Sequence, residues 1–412
     1  MSAVERSLRA APKARARLVD RAAAAVLERE LAQLESGSLD VTLPDGTRRT
    51  FGSGKPVSLE IHDRALFRRL ATRGKVGFGE SYTAGDWDTD DLVGLFELLL
   101  RNSEAAAARN GTVRRLVEAR PRPNRRNGLL RARHNISYHY DLGNDLFDLM
   151  LDETMTYSCG IFDRADATLA DAQRAKLQRV CDKLQLGPAD HVLEIGCGWG
   201  GFALYAAATT GCRVTGLTIS AEQAKLARER VATEGLQDRI EIVEQDYREH
   251  DGRYTKVASI EMLEAIGEKQ FGTYFSTIDR VLVRGGIACV QTILIPDDRW
   301  ERYRKTPDWI EQYIFPGCLI PSLTALTRAA TASSRLTILD VDEIGPHYAE
   351  TLRRWRENIH ERIGDVRALG YDRTFERTWD FYLAFCEAGF RLRALRDVQL
   401  TLSRPLNESV AF

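Results

Sequence analysis

Apolar residues recur at helical spacing over 14–34, where Leu18, Ala22, Val26, Leu27 and Leu31 form one amphipathic face. Alternation takes over at Leu39–Leu43 and Thr47–Phe51, two strands joined by a Pro44-Asp45-Gly46 turn, and Val57–Ile61 adds a further strand. Arg64–Arg73 and Leu92–Arg101 read as helices flanking GESYTAGDWDTDD (79–91), a turn-rich segment expected to be exposed. Beyond residue 134 strand and helix patterns alternate, as a doubly wound parallel sheet demands. Helices are expected at Ala172–Leu186, 202–208, Ser220–Glu234, around Tyr274 and Ile278, at Tyr348–Ile363 and at Arg373–Glu387. Strands fall at 191–195, Arg213–Thr218, Ile240–Gln245, Lys256–Met262, Ile287–Ile295 and Thr337–Val341, and Phe390–Ser403 alternates like a closing antiparallel pair. Only 296–335 breaks the rhythm, with the apolar, proline-punctuated run YIFPGCLIPSL (313–323).

This pattern divides the chain into a small α+β unit at 1–112, a linker at 113–133 and an α/β domain at 134–412. Eight arginines fall between 114 and 133, interrupted by Pro121, Pro123 and Gly128. Such a run is a solvated linker, or a patch attracted to an anionic membrane by about 1 kcal/mol per side chain. It lacks stacking aromatics, so no nucleic-acid partner is expected. A chain of 412 residues with net charge -1 shows no global bias toward polyanions. The seven cysteines are scattered without a C-x-x-C pair, which argues for a reducing interior and against a disulfide framework or a metal site. No apolar run approaches the roughly 18 residues that span a bilayer, and the basic N-terminus lacks the apolar core of a signal peptide. A cytoplasmic protein in peripheral contact with a membrane is the expectation.

The chemistry gathers at HVLEIGCGWGG (191–201). A buried strand running into Gly196, Gly198, Gly200 and Gly201, then into a helix, brings bare backbone N–H groups close to a nucleotide. Gly196, Gly198 and Gly201 satisfy G-x-G-x-x-G, so NAD is one reading. The second strand, RVTGLT, ends without the acid that grips a ribose in NAD sites and is followed by TISAEQ. Glu194, two residues before the first glycine, is placed to meet a cationic group such as an amino-acid ammonium. Both details favour S-adenosylmethionine (SAM). Tyr348, Leu352 and Trp355 share one helix face and Trp379, Tyr382 and Cys386 another; by pattern alone both stripes are core. His134, His139 and His347 read as structural residues.

Several stretches together resemble the cyclopropane-fatty-acyl-phospholipid synthases and mycolic acid synthases. They are HYDLGNDLFDLML (139–151), YSCGIF (157–162), VLEIGCGWGG (192–201), GLTISAEQ (216–223), QDYR (245–248), SIEMLEAIG (259–267), HYAETLRRW (347–355) and YLAFCEAGFR (382–391). SIEMLEAIG, QTI and YIFPGCLIPS are most similar to the actinobacterial branch making 10-methylene fatty acids. The resemblance implies a class I SAM-dependent methyltransferase: a Rossmann-like sheet with a helical cap over an acyl channel around 296–335, and a smaller α+β N-terminal domain that presents lipid. It places Tyr157 and Ser158 against SAM before the first strand, Gly196, Gly198 and Gly200 at the methionine, Thr218 and Gln223 at the ribose, and Asp246 and Tyr247 at the adenine. It puts Cys159, Glu264, Gln291, Tyr348 and Cys386 around the reacting centre, holding a bound bicarbonate. Two positions depart from the family: Ala265 and Gln291 stand where it has histidines. Glutamine can hydrogen-bond an anion but cannot shuttle a proton.

The implied reaction is methyl transfer to the cis double bond of an unsaturated phospholipid acyl chain. The resulting carbocation would be deprotonated by bicarbonate to a cyclopropane or 10-methylene product. A homodimer is the family's expectation. Two alternatives stand beside this one: a SAM methyltransferase acting on an oxygen or nitrogen nucleophile, and a non-catalytic lipid- or SAM-binding protein.

Overall fold

The computed structural model describes residues 13–103, 143–306, 308–408 and 410; the linker at 113–133, His134 and His139 lie outside the described residues. The described residues form two compact units, one from 13–103, 306, 308–309 and 372–388, the other from 143–305, 310–371, 389–408 and 410.

In the first unit a four-stranded sheet has the order β2-β1-β3-β4, with β1 Ser38–Thr42, β2 Arg48–Gly52, β3 Pro56–Ile61 and β4 Trp87–Asp88. Helix Lys13–Leu31 and helix Ala65–Thr83 precede and follow the first three strands. The second of these is kinked at Gly74, whose φ of 55° and ψ of -132° break the helical path. It runs ten residues past the expected end at Arg73, into the segment read as exposed. That expectation is corrected here: Ser81 and Trp87 are 0% exposed. Its Gly, Asp and Thr residues signalled turns, but Tyr82 and Trp87 have apolar rings to bury, and burial decided the outcome.

The far end of the chain completes this unit. From helix Arg373–Arg391, Phe381 meets Phe96 edge-on at 4.9 Å and tilts against Trp309 at 4.5 Å. Arg377 donates to Asp88 at 2.7 Å and to the carbonyls of Tyr82 (2.5 Å) and Trp87 (2.8 Å), with its guanidinium 3.9 Å from the Tyr82 ring centre.

The second unit holds a seven-stranded sheet, order β10-β11-β9-β8-β5-β6-β7. Its strands are β5 His191–Ile195, β6 Arg213–Thr218, β7 Ile240–Glu244, β8 Tyr254–Ile260, β9 Leu282–Leu294, β10 Thr337–Glu343 and β11 Arg396–Ser403. From β7 to β9 the pairings are parallel, and β11 runs antiparallel between β9 and β10. One apolar core gathers Val180, Phe202, Ala224 and Ile242 with helices Leu169–Leu184, Gly201–Thr210 and Ala221–Thr233. A second gathers Leu193, Phe275, Leu326 and Leu400 with helices Phe271–Val281 and Leu323–Ser333. The middle of the sheet is therefore buried on both faces, whereas exposed positions recur along the edge strands β7 and β10. Strand order reverses between β5 and β8, and ligands of open α/β sheets bind at such a switch, beyond the strands' C-terminal ends. Among the described residues no helix is long and apolar enough to cross a membrane.

Candidate active site

At the switch point β5 delivers the glycine turn. Gly196, Gly198 and Gly200 have φ values of 84°, 51° and 82°, in the left-handed region. The N–H groups of Gly196 and Cys197 both donate to the Leu217 carbonyl (2.9 and 2.8 Å), which pins the turn to β6. A Cβ on Gly196 would come within 2.7 Å of Met262, whereas one on Gly198 would meet nothing within 4 Å. The turn is thus tight against the protein at its start and open in its middle, as a ligand cradle requires. Helix Asn144–Met150 supports it: Trp199 donates to Asn144 at 2.8 Å and its ring lies 4.9 Å from Phe147.

Glu194 is 3% exposed, one of its carboxylate oxygens has no hydrogen-bond partner, and burial pushes its pKa up to about 8. Lys176 and the Ala203 N–H act in the opposite direction. An orphaned carboxylate oxygen beside an open glycine turn fits a ligand that brings a cation. The Thr218 hydroxyl, at the end of β6, donates to Gln223 at 2.9 Å and accepts from the Ser220 N–H at 3.2 Å. Asp246, just beyond β7, is 3% exposed and clamped by Arg248, whose N–H, Nε and Nη2 donate at 3.0, 2.8 and 2.6 Å. Tyr247 turns into the core, its ring edge-on to Tyr274 at 5.8 Å and its buried hydroxyl without a partner. The residues expected at the methionine, the ribose and the adenine thus follow the ends of β5, β6 and β7 in order.

The YSC segment is held from several sides. Gln173 donates to the Ser158 carbonyl at 2.7 Å, and the wholly buried Lys176 donates to the Ser158 hydroxyl at 2.6 Å. Tyr157 lies 5.2 Å from Phe147 and 5.1 Å from Trp355. Cys159 is fully buried, and burial holds its thiol well above the ordinary range, so it is no nucleophile.

Cys159, Gln291 and Tyr348 meet at a residue that sequence reasoning passed over, Glu261. Its Oε1 accepts from the Cys159 N–H at 2.8 Å and from Gln291 Nε2 at 2.8 Å, and its Oε2 accepts from the Tyr348 hydroxyl at 2.6 Å. Behind it Gln399 donates to Gln291 Oε1 at 3.1 Å, which fixes the amide with its NH₂ toward Glu261, and that NH₂ also reaches Asp397 at 3.1 Å. Burial and the neighbouring Glu261 push the Asp397 carboxyl well above the carboxylate range, so Asp397 is the acid of the pair. Glu261 itself sits at φ 50°, a left-handed conformation unusual for a side chain of this size. A signal was present: a carboxylate directly after the last residue of a central parallel strand, the same signal that drew attention to Glu264.

Glu264 takes a different place. Its Oε1 accepts from the Thr292 hydroxyl at 2.8 Å and from the Ile293 N–H, and its Oε2 has no partner. Burial, with Glu261 nearby, pushes it up to about 8. The Leu319 N–H donates to its carbonyl at 2.8 Å, tying the run 313–323 to the end of β8. Tyr348 stacks on Phe390 at 4.5 Å and stands edge-on to Trp355 at 6.0 Å. Cys386 is the one expected site residue in the other unit, half-buried on helix Arg373–Arg391, its thiol pushed up by burial. Among the described residues no group of His, Cys, Asp and Glu is arranged to hold a metal ion.

The two implied ligands fare differently. SAM fits the orphaned Glu194 oxygen and the open turn at Gly198. Bicarbonate does not fit: the donors that would hold it, Cys159 N–H, Gln291 and Tyr348, are already engaged by the Glu261 carboxylate.

Comparison with known proteins agrees with this architecture. Residues 128–400 match the model of the family described as mycolic acid cyclopropane synthetase. Tuberculostearic acid methyltransferase UfaA1 of Mycobacterium tuberculosis is 40% identical over 394 residues, covering 93% of this chain and 92% of its own. The cyclopropane-fatty-acyl-phospholipid synthase of Escherichia coli is 36% identical over 349 residues, covering 85% and 88%. Among solved structures, mycolic acid cyclopropane synthase CmaA1 complexed with SAH and CTAB superposes with TM-score 0.61 at 32% identity, over 66% of this chain and 97% of that one. Built on that fold, with a glycine cradle fitted to SAM at its switch point, the chain belongs to the mycolic acid cyclopropane synthetase family of SAM-dependent C-methyltransferases.

Proposed function

We propose that the protein methylates the cis double bond of an unsaturated fatty acyl chain carried by a phospholipid, giving a 10-methylene or cyclopropane product. The observation behind this reading is the aromatic wall Tyr157–Trp355–Tyr348, with ring separations of 5.1 and 6.0 Å, whose last member bonds to Glu261 at 2.6 Å. An alkene is a weak nucleophile, and its attack on a methyl group leaves a carbocation that water would quench. Ring faces stabilise such a cation, and a carboxylate at their edge is placed to receive its proton.

When bound, SAM supplies an electrophilic methyl group on a sulfonium centre. Glu194 orients its ammonium, Gly196–Gly200 cradle its methionine end, and Thr218 with Gln223 meet its ribose. Tyr157 and Ser158 close over the cofactor from the other side. Glu264 is a positioning residue: by holding Thr292 and Ile293 it sets the end of β9, which carries Gln291. The run 313–323, tied to Glu264 through Leu319, caps the acyl channel. Fixing both reactants in a dry pocket supplies the entropic share of the acceleration.

The test uses purified protein, SAM and vesicles of an oleoyl phospholipid, followed by proton NMR of the released fatty acids. Upfield ring protons identify a cyclopropane and vinylidene protons a methylene branch. Unchanged oleate alongside methylation of a polar oxygen or nitrogen acceptor refutes the proposal.

A further inference from the structure

The group that receives the proton is built into the chain. We infer that the Glu261 carboxylate occupies the anion position of this site and is itself the general base, so that turnover needs no bicarbonate. This deepens the proposed alkene methylation and rests on it.

Three donors from separate segments converge on the two oxygens: the Cys159 N–H at 2.8 Å, the Gln291 amide at 2.8 Å and the Tyr348 hydroxyl at 2.6 Å. A free anion would need the same donors, and two carboxylate-like anions cannot share them without strong repulsion. The position is locked by more than these bonds. Glu261 N–H donates to the Gln291 carbonyl at 2.8 Å, and its φ of 50° turns the side chain in a direction that ordinary strand geometry would not reach. An uncommon backbone conformation held on both sides is what a dedicated side-chain placement looks like. Burial shifts the neighbouring Asp397 and Glu264 carboxyls toward their acid forms. Gln291, at the position where the family has a histidine, keeps its NH₂ toward Glu261 because Gln399 holds its oxygen.

The step balances without another reactant. Alkene π electrons form the new carbon–carbon bond as the sulfur–methyl bond breaks. Glu261 then takes a proton from the new methyl. Taken directly, the freed C–H electron pair closes the ring on the cationic carbon; taken after a 1,2-hydride shift has moved the cation to the methyl-bearing carbon, the pair forms the methylene double bond.

Two measurements decide the matter. The first is line broadening of ¹³C-bicarbonate by the full-length protein saturated with S-adenosylhomocysteine. Wild type should give none, and Glu261→Gly, which frees all three donors, should broaden the signal. Glycine is at home at this φ, so the variant should keep its fold, checked by an unchanged circular dichroism spectrum and a cooperative melting transition. Broadening by wild type at this site, abolished when Tyr348 is changed to Phe, overturns the inference. The second is turnover in buffer stripped of carbon dioxide. The wild-type rate should not change when bicarbonate is added. Glu261→Gly should lose about 10²–10⁴-fold and regain part of it with bicarbonate, whereas Glu261→Gln, whose amide fills the same space, should be slow and not rescued. A wild type that stops without bicarbonate, or a Glu261→Gly that runs at full rate without it, overturns the inference. Should wild type methylate no lipid in either buffer, the proposed function fails, and the bicarbonate-binding experiment still decides what Glu261 replaces.

Discussion

Glu194 makes SAM affinity a function of pH. Its carboxyl, raised to about 8 by burial, is protonated in the free protein through most of the neutral range, whereas a ligand ammonium pairs only with the ionised form. Binding must therefore expel a proton, and the cost grows as pH falls. With a pKa of about 8, roughly a quarter of the free protein is ionised at pH 7.5 and roughly 0.3% at pH 5.5, so affinity should fall roughly 75-fold between them. The ligand's own α-ammonium stays largely protonated across that window, since such groups titrate at about 7.7–8.0. Titration calorimetry with S-adenosylhomocysteine in two buffers of different ionisation enthalpy reads both quantities, the affinity and the proton released. Glu194→Gln should bind more weakly at pH 7.5 and show almost no slope. A wild-type affinity that is flat across the window, or a Glu194→Gln variant with the wild-type slope, would refute the pairing of Glu194 with the ammonium.

Other consequences can be checked separately. Glu264, raised to about 8, stabilises the fold most at acid pH: that contribution is complete below about 4.5 and is lost as pH rises through 8. The wild-type melting temperature should thus fall between about pH 5 and 9, and Glu264→Gln should fall less while binding SAM equally well; parallel curves would contradict this. Tyr348→Phe removes a 2.6 Å hydrogen bond to a carboxylate, worth about 1.5–3 kcal/mol, and should cut turnover roughly 10- to 150-fold without changing SAM affinity. Equal rates would remove the hydroxyl from the mechanism. Arg377→Ala in the first unit removes the guanidinium that bonds Asp88 and the carbonyls of Tyr82 and Trp87, and should lower stability by about 2–3 kcal/mol in urea denaturation. An unshifted midpoint would show that the cluster contributes nothing.

What the chain reveals unaided is what local pattern encodes. The alternation of strand and helix, the glycine turn and the hydroxyl-bearing segment after β6 are each written within a dozen residues, and they led to the sheet and the cofactor cradle. Helix ends were less legible: the first turn of Leu169–Leu184 is fixed by Thr168 and Asp171 in a capping box, and the helix reaches back to Leu169, three residues before Ala172. The base was harder still. SIEMLEAIG was singled out for Glu264, yet the role of Glu261 emerges only when residues 159, 291 and 348 are brought around it, and no linear spacing announces that meeting. Lys176 was invisible for a related reason, since a lysine on an amphipathic helix reads as solvent-facing until Ser158 is found against its ammonium.

Helix Arg373–Arg391 has a consequence for how the molecule is made. Its Phe381 and Arg377 complete the core around Phe96, Tyr82 and Asp88, so the first unit draws its last interior residues from almost 300 positions downstream. During synthesis, which proceeds from the N-terminus, that unit waits half-assembled, with Phe96 and Trp87 awaiting their neighbours, while the doubly wound sheet is translated and begins to fold. Loop closure on this scale is slow, and the exposed interval is when the chain is most prone to aggregate. A fragment ending before residue 373 should therefore be recovered poorly even though it contains the whole glycine turn, and the rate at which the last helix docks, rather than the nucleotide-binding core, should govern the yield of native protein.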